Sequence, residues 1–197
     1  MFEGSSLSPL LFTIMIKILA IDQARNGAWS IFDYENKKLL DYGTFEYPSE
    51  KYTFPQAIMH IEDEVVSLVC SHSIDAVFIE DIQSRTNIDA FKKLACLYGV
   101  LINYFERDQL AYGTVYPATW QSFIYKELGF KRAELKSKEL SLRFVKEKCD
   151  LETNNDNLSD AICIGWYVVN NINIKELSQQ TVETGKKGRK KNGKEKK

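Results

Sequence analysis

Short apolar runs alternate with longer segments of helical period along most of the chain. Strands are predicted where apolar residues rich in Ile, Val and Phe are bounded by Asn, Gly or charged residues. The predicted strands cover 16–22, 28–33, 38–46, 75–80 and 114–116. Helices are predicted where apolar residues recur at three- and four-residue spacing. The predicted helices cover 54–71, 89–105, 117–128, 133–148 and 157–170.

The order of these elements predicts one α/β domain. The first three strands are joined by short turns with Asn, which are typical of antiparallel hairpins, and the later strands alternate with helices. This is the order of a ribonuclease H-like domain, so we expect a five-stranded mixed sheet flanked by helices over residues 15–175. Residues 1–14 are predicted to be a leader or extension, and residues 176–197 a disordered basic tail.

Charge is distributed unevenly. The 197 residues carry a formal net charge of -1, yet residues 186–197 contain eight basic residues and one acidic residue. The domain itself is therefore acidic. A Lys/Gly run of this kind cannot form a core, and it is interpreted either as an arm that binds phosphates or as a solubilising tail.

Cysteine and histidine usage argues against a zinc site. The chain has four Cys and two His, without Cys-x-x-Cys spacing, so buried reduced thiols in a cytosolic protein are expected. The apolar stretch 9–21 is too short to span a membrane and has no signal-peptide features. A cytoplasmic protein is predicted, in the host cytoplasm if a phage encodes it.

Four acidic residues stand at the ends of predicted elements. Asp22 ends the first strand, Glu80 ends the fourth, and Asp156 and Asp160 open the last helix. Any one of them could simply cap a turn or a helix, as Asp156 would if it were the N-cap. Together, at the edge where open α/β sheets place ligands, they would repel one another unless a cation lay between them. Carboxylate oxygens suit magnesium or manganese.

The chain resembles the RuvC family of Holliday junction resolvases, especially its phage-type members. The resemblance spans residues 16–170 and depends on the order and spacing of short motifs. These motifs lie at 21–24, 27–33, 79–81, 115–120 and 157–161.

The resemblance implies a metal-dependent endonuclease that resolves four-way DNA junctions by paired symmetrical nicks. Asp22, Glu80, Asp156 and Asp160 would be the catalytic residues and the ligands of two Mg²⁺ or Mn²⁺ ions, roughly 3.5 to 4 Å apart. No nucleotide cofactor is expected. Because two matched nicks need two related sites, a homodimer is expected, with the apolar face of the 89–105 helix as its interface.

DNA phosphates require cations, and eight basic side chains are predicted to supply them. They are Arg85, Lys92, Lys93, Lys126, Lys131, Arg132, Lys136 and Lys138. The group from 126 to 138 is the strongest candidate. Trp120 and Tyr116 could stack on bases, but burial is the favoured prediction for both.

Some positions depart from the family pattern. Gln23 and Ala24 follow the first Asp where bacterial members have Pro-Gly, and Gln83 stands where they have an aromatic residue. Bacterial members space their last acidic pair at i, i+3, which here would pair Asp160 with Asn157, so either Asp156 or Asn157 could be the ligand. Asp81 is a further possible ligand, although strand alternation points it away from Glu80.

Other functions remain open on the sequence alone. Sugar kinases and related ATPases also place an Asp on the first strand, but they need a Gly-rich adenosine-binding segment that this chain lacks. An RNA-processing nuclease of the ribonuclease H-like fold would share the metal site. A non-catalytic protein that binds branched DNA would be expected to have lost a carboxylate.

Overall fold

Five strands and five helices make up the fold in a computed structural model, which describes residues 15–83, 87–132, 134–174 and 176. The strands are β1 (Lys17–Asp22), β2 (Ala28–Asp33), β3 (Lys38–Thr44), β4 (Ala76–Glu80) and β5 (Ala111–Val115). The helices are α1 (Phe54–His72), α2 (Ile88–Arg107), α3 (Pro117–Glu127), α4 (Ser137–Cys149) and α5 (Asp156–Asn171). The predicted leader, residues 177–197 of the predicted tail and Arg85 lie outside the described residues.

One mixed sheet organises these elements, in the order β3-β2-β1-β4-β5. The first three strands form antiparallel hairpins, whereas β4 pairs parallel with both β1 and β5. A parallel neighbour requires a crossover connection, which α1 supplies between β3 and β4 and α2 supplies between β4 and β5. The predicted α/β class with a five-stranded mixed sheet is confirmed.

Hydrophobic side chains cover both faces of the sheet. On one face, Ala20 of β1 and Phe78 of β4 pack under α3, α4 and α5. On the other face, Ile21 and Ile79 pack under α1 and α2. The central strands are therefore buried on both sides, which explains why β1 and β4 read as almost unbroken apolar runs.

Two predicted boundaries differ from the structure by three residues or more. Strand β5 begins at Ala111 rather than 114, and it includes Gly113, where a Cβ would lie 2.8 Å from the Phe78 ring. Helix α4 begins at Ser137 rather than 133. The preceding segment is held as a loop, in part by a hydrogen bond that the Tyr125 hydroxyl donates to the Leu135 carbonyl at 2.5 Å.

All four cysteines are free, as predicted, but their predicted burial is only partly correct. Cys163 is buried in α5 and Cys149 is half-buried, whereas Cys70 and Cys96 are exposed on the solvent sides of α1 and α2. Both helices bury one stripe only, and the spacing of the two cysteines places them outside it. No helix in the described ranges is long and apolar enough to cross a membrane.

Candidate active site

The ends of β1 and β4 bring two of the predicted acids to one edge of the sheet. In the parallel register Ile21 pairs with Ile79, so Asp22 and Glu80 come next along adjacent strands. Side chains alternate between faces, and Ala20 and Phe78 belong to the core beneath α5. Asp22 and Glu80 therefore project to the face that α5 covers. Asp22 is 9% exposed.

Close packing fixes the start of α5 over this edge. The Ser30 hydroxyl on β2 donates a hydrogen bond to the Ala161 carbonyl at 2.8 Å. Gly165 allows the helix to approach the sheet, since a Cβ there would lie 2.5 Å from the Phe32 ring. The N-cap is Asn155, whose side chain accepts a hydrogen bond from the Leu158 amide, which excludes the alternative that Asp156 is the N-cap. Asp156 is instead the first residue of the helix.

The Asp160 carboxyl ionises less readily than an ordinary aspartate. Its pKa is raised to about 7, first by burial and then by the nearby Glu80 and Asp156 carboxylates, while a hydrogen bond from Ser141 and the charge of Lys138 act in the opposite direction. Its buried Oδ1 has no hydrogen-bond partner among the described residues. Such a carboxyl is stabilised by either a proton or a cation.

The pKa of Asp156, unlike that of Asp160, is lowered. Its Oδ2 lies 2.5 Å from the Lys138 Nζ on α4, and this hydrogen bond holds the pKa of Asp156 below its usual value. The neighbouring Asn157 donates its side-chain amide to the Asn26 carbonyl at 2.5 Å. Either Asp156 or Asn157 could be the second ligand beside Asp160. The charge of Asp156 raises the pKa of Asp160, whereas Asn157 is uncharged, so Asp156 is the better candidate.

Glu80 is held by two residues that sequence reasoning did not assign to the site. The indole Nε1 of Trp120, a fully buried residue, donates to the Glu80 Oε1 at 2.8 Å. The Gln23 side-chain amide donates to the Glu80 carbonyl at 2.8 Å. In the sequence, only the motif at 115–120 indicated a place for Trp120 near the site. Its predicted burial is confirmed, whereas Tyr116 is 59% exposed and its predicted burial is wrong.

Asp81 lies on the other side of the sheet edge. Burial raises the pKa of Tyr98 on α2, and the charge of Asp81 adds to this effect, so Asp81 is near α2. Strand alternation predicted that orientation. Asp81 is therefore separated from the face on which Asp160 and Glu80 interact.

The described side chains are not arranged as a complete metal cage. No group of three or more His, Cys, Asp or Glu within the described ranges could hold a metal ion as it stands. Two of the acids already have partners among the described side chains: Glu80 accepts a hydrogen bond from Trp120, and Asp156 pairs with Lys138. The donor set nevertheless suits a hard cation, because it consists of carboxylate oxygens and includes the unpartnered Oδ1 of Asp160.

The predicted DNA-binding cations are exposed wherever they are described. On α2, Lys93 lies over the Phe54 ring, with its Nζ 5.9 Å from the ring centroid. Arg132, Lys136 and Lys138 line a groove of about 860 Å³ between α3 and the start of α4. The remaining described members of the set are also exposed, namely Lys92, Lys126 and Lys131.

Trp120→Phe should weaken metal binding at this site without unfolding the protein. The substitution keeps most of the ring but removes the hydrogen bond to Glu80. Loss of a residue that orients a metal ligand typically costs about 10- to 100-fold in metal affinity or activity. We expect a decrease of this size in the affinity for Mn²⁺, measured by titration.

Trp166→Phe is the matched control for this change. Trp166 packs edge-on against Phe32 and Phe144, and its indole N–H has no partner among the described residues. The control should bind Mn²⁺ as the wild type does. Equal losses in the two variants would mean that the indole of Trp120 serves packing alone.

Comparison with known proteins shows which solved structures share this fold. No family model matches the chain, and no curated protein matches it in sequence. Among solved structures, Thermus thermophilus RuvC in complex with a Holliday junction substrate gives a TM-score of 0.61 at 12% identity, over 84% of this chain and 96% of that one. A second T. thermophilus RuvC structure gives 0.59 at 14% identity, over 85% and 97%.

A eukaryotic protein shows the same likeness. The yeast mitochondrial Holliday junction resolvase Ydc2 gives a TM-score of 0.57 at 13% identity, over 86% of this chain and 85% of Ydc2. The chain therefore has the fold of RuvC-type resolvases, as the motif resemblance implied. The narrower likeness to phage-type members stays a prediction.

Proposed function

We propose that this protein is a metal-dependent endonuclease that resolves four-way DNA junctions. The observation that carries the proposal is the meeting of Glu80, Asp156 and Asp160 at one sheet edge, where their charges act on one another. Asp22 ends the neighbouring strand on the same face. The fold in which this occurs is shared with resolvases, one of them bound to a Holliday junction substrate.

Divalent ions held by Asp22, Glu80, Asp156 and Asp160 would lower the pKa of a bound water and stabilise the departing oxygen of the phosphodiester. The protein residues prepare this site in separate ways. Trp120 fixes the orientation of the Glu80 carboxylate. The Oδ1 of Asp160 is buried and has no hydrogen-bond partner among the described residues. A cation would therefore stabilise this oxygen more than it would a solvated one.

Substrate binding would depend on the exposed lysines and arginines. The groove that contains Arg132 and Lys136 also contains Lys138, whose ammonium group reaches the acidic site. A strand with its phosphates in this groove would lead to the carboxylates. Each phosphate that is neutralised should make binding more dependent on salt concentration.

The symmetry of the substrate favours a homodimer. Helix α2 buries Leu97, Leu101 and Tyr104 in the core, whereas Leu94 and Ile102 are only partly buried. We infer that the dimer interface lies on the apolar face of α2 and includes these two partly buried residues. Two protomers related by a twofold axis would present two equivalent sites to the junction.

The test is a cleavage panel with end-labelled substrates. A four-way junction, a duplex, a flap and a single-stranded RNA are incubated with the protein and Mg²⁺ or Mn²⁺. Paired nicks at symmetrical positions in the junction are expected, with little cutting of the duplex. Preferential cleavage of RNA would favour an RNA-processing nuclease, and junction binding without cleavage would favour a non-catalytic role.

Deletion of residues 186–197 tests the contribution of the basic tail. We expect weaker junction binding at moderate salt and a shallower salt dependence, because eight basic side chains are removed. The single-turnover cleavage rate at saturating protein should not change. Unchanged affinity from low to moderate salt would show that the tail makes no contact with DNA.

A further inference from the structure

A lysine lies at the mouth of the acidic site. The Nζ of Lys138 lies 2.5 Å from Asp156, although the lysine side chain is 78% exposed. Its charge also lowers the pKa of Asp160, and its own pKa is raised, first by the hydrogen bond to Asp156. The ammonium therefore acts on the same two carboxylates that open α5.

The position of Lys138 distinguishes this pair from an ordinary surface ion pair. Further along α4, Lys146 pairs with Glu152 at 2.6 Å, and both side chains are exposed. The main influences on the pKa values of Asp156 and Asp160 include Lys138 but neither member of that pair. Like charges one helical turn apart repel, so a cation at this point offsets the repulsion between Asp156 and Asp160.

A divalent ion would compete directly with the lysine. An ammonium so close to Asp156 would be strongly repelled by an ion bound to the same carboxylate. Lys138 has a long flexible side chain and lies on the groove that also contains Arg132 and Lys136. Once displaced, it would be free to bind a phosphate of DNA lying in that groove.

We propose that Lys138 neutralises Asp156 until a divalent ion binds this carboxylate, and that the lysine then moves to a DNA phosphate. We call this the stand-in role of Lys138. This inference rests on the proposed nuclease function. It gives Lys138 two alternative partners and makes metal loading a condition for one of the protein's phosphate contacts. Lys138 is thus a positioning residue that links metal binding to DNA binding.

The first test measures metal binding without DNA. Mn²⁺ is titrated into wild type, Lys138→Gln and Lys146→Gln, and free Mn²⁺ is followed by electron paramagnetic resonance. Lys138→Gln should bind Mn²⁺ about two- to fivefold more tightly, which is the range that an exposed ion pair contributes. Lys146→Gln removes a similar ion pair from the same helix and should bind as the wild type does.

The second test measures the salt dependence of junction binding for the same three proteins. Binding is measured in Ca²⁺, with the junction checked for nicks, and in EDTA. In Ca²⁺ the slope of log affinity against log salt should be shallower by about one for Lys138→Gln than for Lys146→Gln. In EDTA the two slopes should agree, because Asp156 then holds Lys138.

The outcomes separate this inference from the proposed function. If wild type binds Mn²⁺ but Lys138→Gln binds it equally or more weakly, the stand-in role is wrong and the nuclease proposal is unaffected. A slope difference that is the same in Ca²⁺ and in EDTA would make Lys138 an ordinary phosphate contact. If the wild type binds no Mn²⁺, the nuclease proposal fails and this inference fails with it.

Discussion

Replacing Asp22 with Asn is expected to reduce cleavage of a four-way junction by about 10⁴-fold, the size of effect seen when a catalytic Asp is replaced by Asn. Asn has nearly the same shape but lacks the charge that would hold a divalent ion. Because Asp22 is only 9% exposed, it is not positioned to contact much of the DNA surface. Junction affinity should therefore be retained. Single-turnover cleavage and gel-shift assays on the same preparation measure the two quantities.

Asp33→Asn is the matched control for Asp22. Asp33 is also a buried acid at a strand end, but the antiparallel register pairs it with Lys17, at the opposite edge of the sheet. It accepts hydrogen bonds from the backbone and side chain of Asn36, so its replacement should affect stability rather than chemistry. Similar cleavage losses in both variants, or loss of binding with Asp22→Asn, would assign Asp22 a structural role.

Asp160→Asn is expected to stabilise the metal-free protein at pH 8 while abolishing cleavage. The pKa of Asp160 is raised from 3.8 to about 7, so the folded protein retains a proton that the unfolded chain has already lost. The unfolded state then binds fewer protons, and the free energy of unfolding falls as the pH rises. This fall begins near pH 4 and ends near pH 7, and it amounts to about 4 kcal/mol.

Urea unfolding in EDTA at pH 5 and pH 8 measures this effect. The difference in unfolding free energy between Asp160→Asn and wild type should increase from pH 5 to pH 8, since the amide does not titrate. Added Mn²⁺ should reduce the difference by stabilising the wild type. A constant difference at both pH values would show that the Asp160 carboxyl is already ionised in the folded protein at pH 5.

The sequence predicted the sheet and the four acids because both depend on local patterns. An apolar run with an acid at its end defines β1 and β4, and the parallel register then places Asp22 and Glu80 side by side. The acids of α5 follow from helical spacing. These inferences need only the period of each element and the rule that parallel strands end at one edge.

The contacts that tune the acids could not be predicted in the same way. Trp120 reaches Glu80 across 40 residues, and Lys138 reaches Asp156 from another helix. These pairings depend on how α3 and α4 pack on the sheet, which no local period specifies. The start of β5 was misplaced for a related reason, since its first residues are strand because they pair with β4.

Anomalous diffraction from a crystal soaked in Mn²⁺ tests the central claim most directly. We expect a manganese peak among the carboxylates of Asp22, Glu80 and Asp160, with Asp156 released from Lys138 to join them. If the soaked crystal showed the four side chains in place and no manganese among them, the assignment of this edge of the sheet as a nuclease site would be wrong.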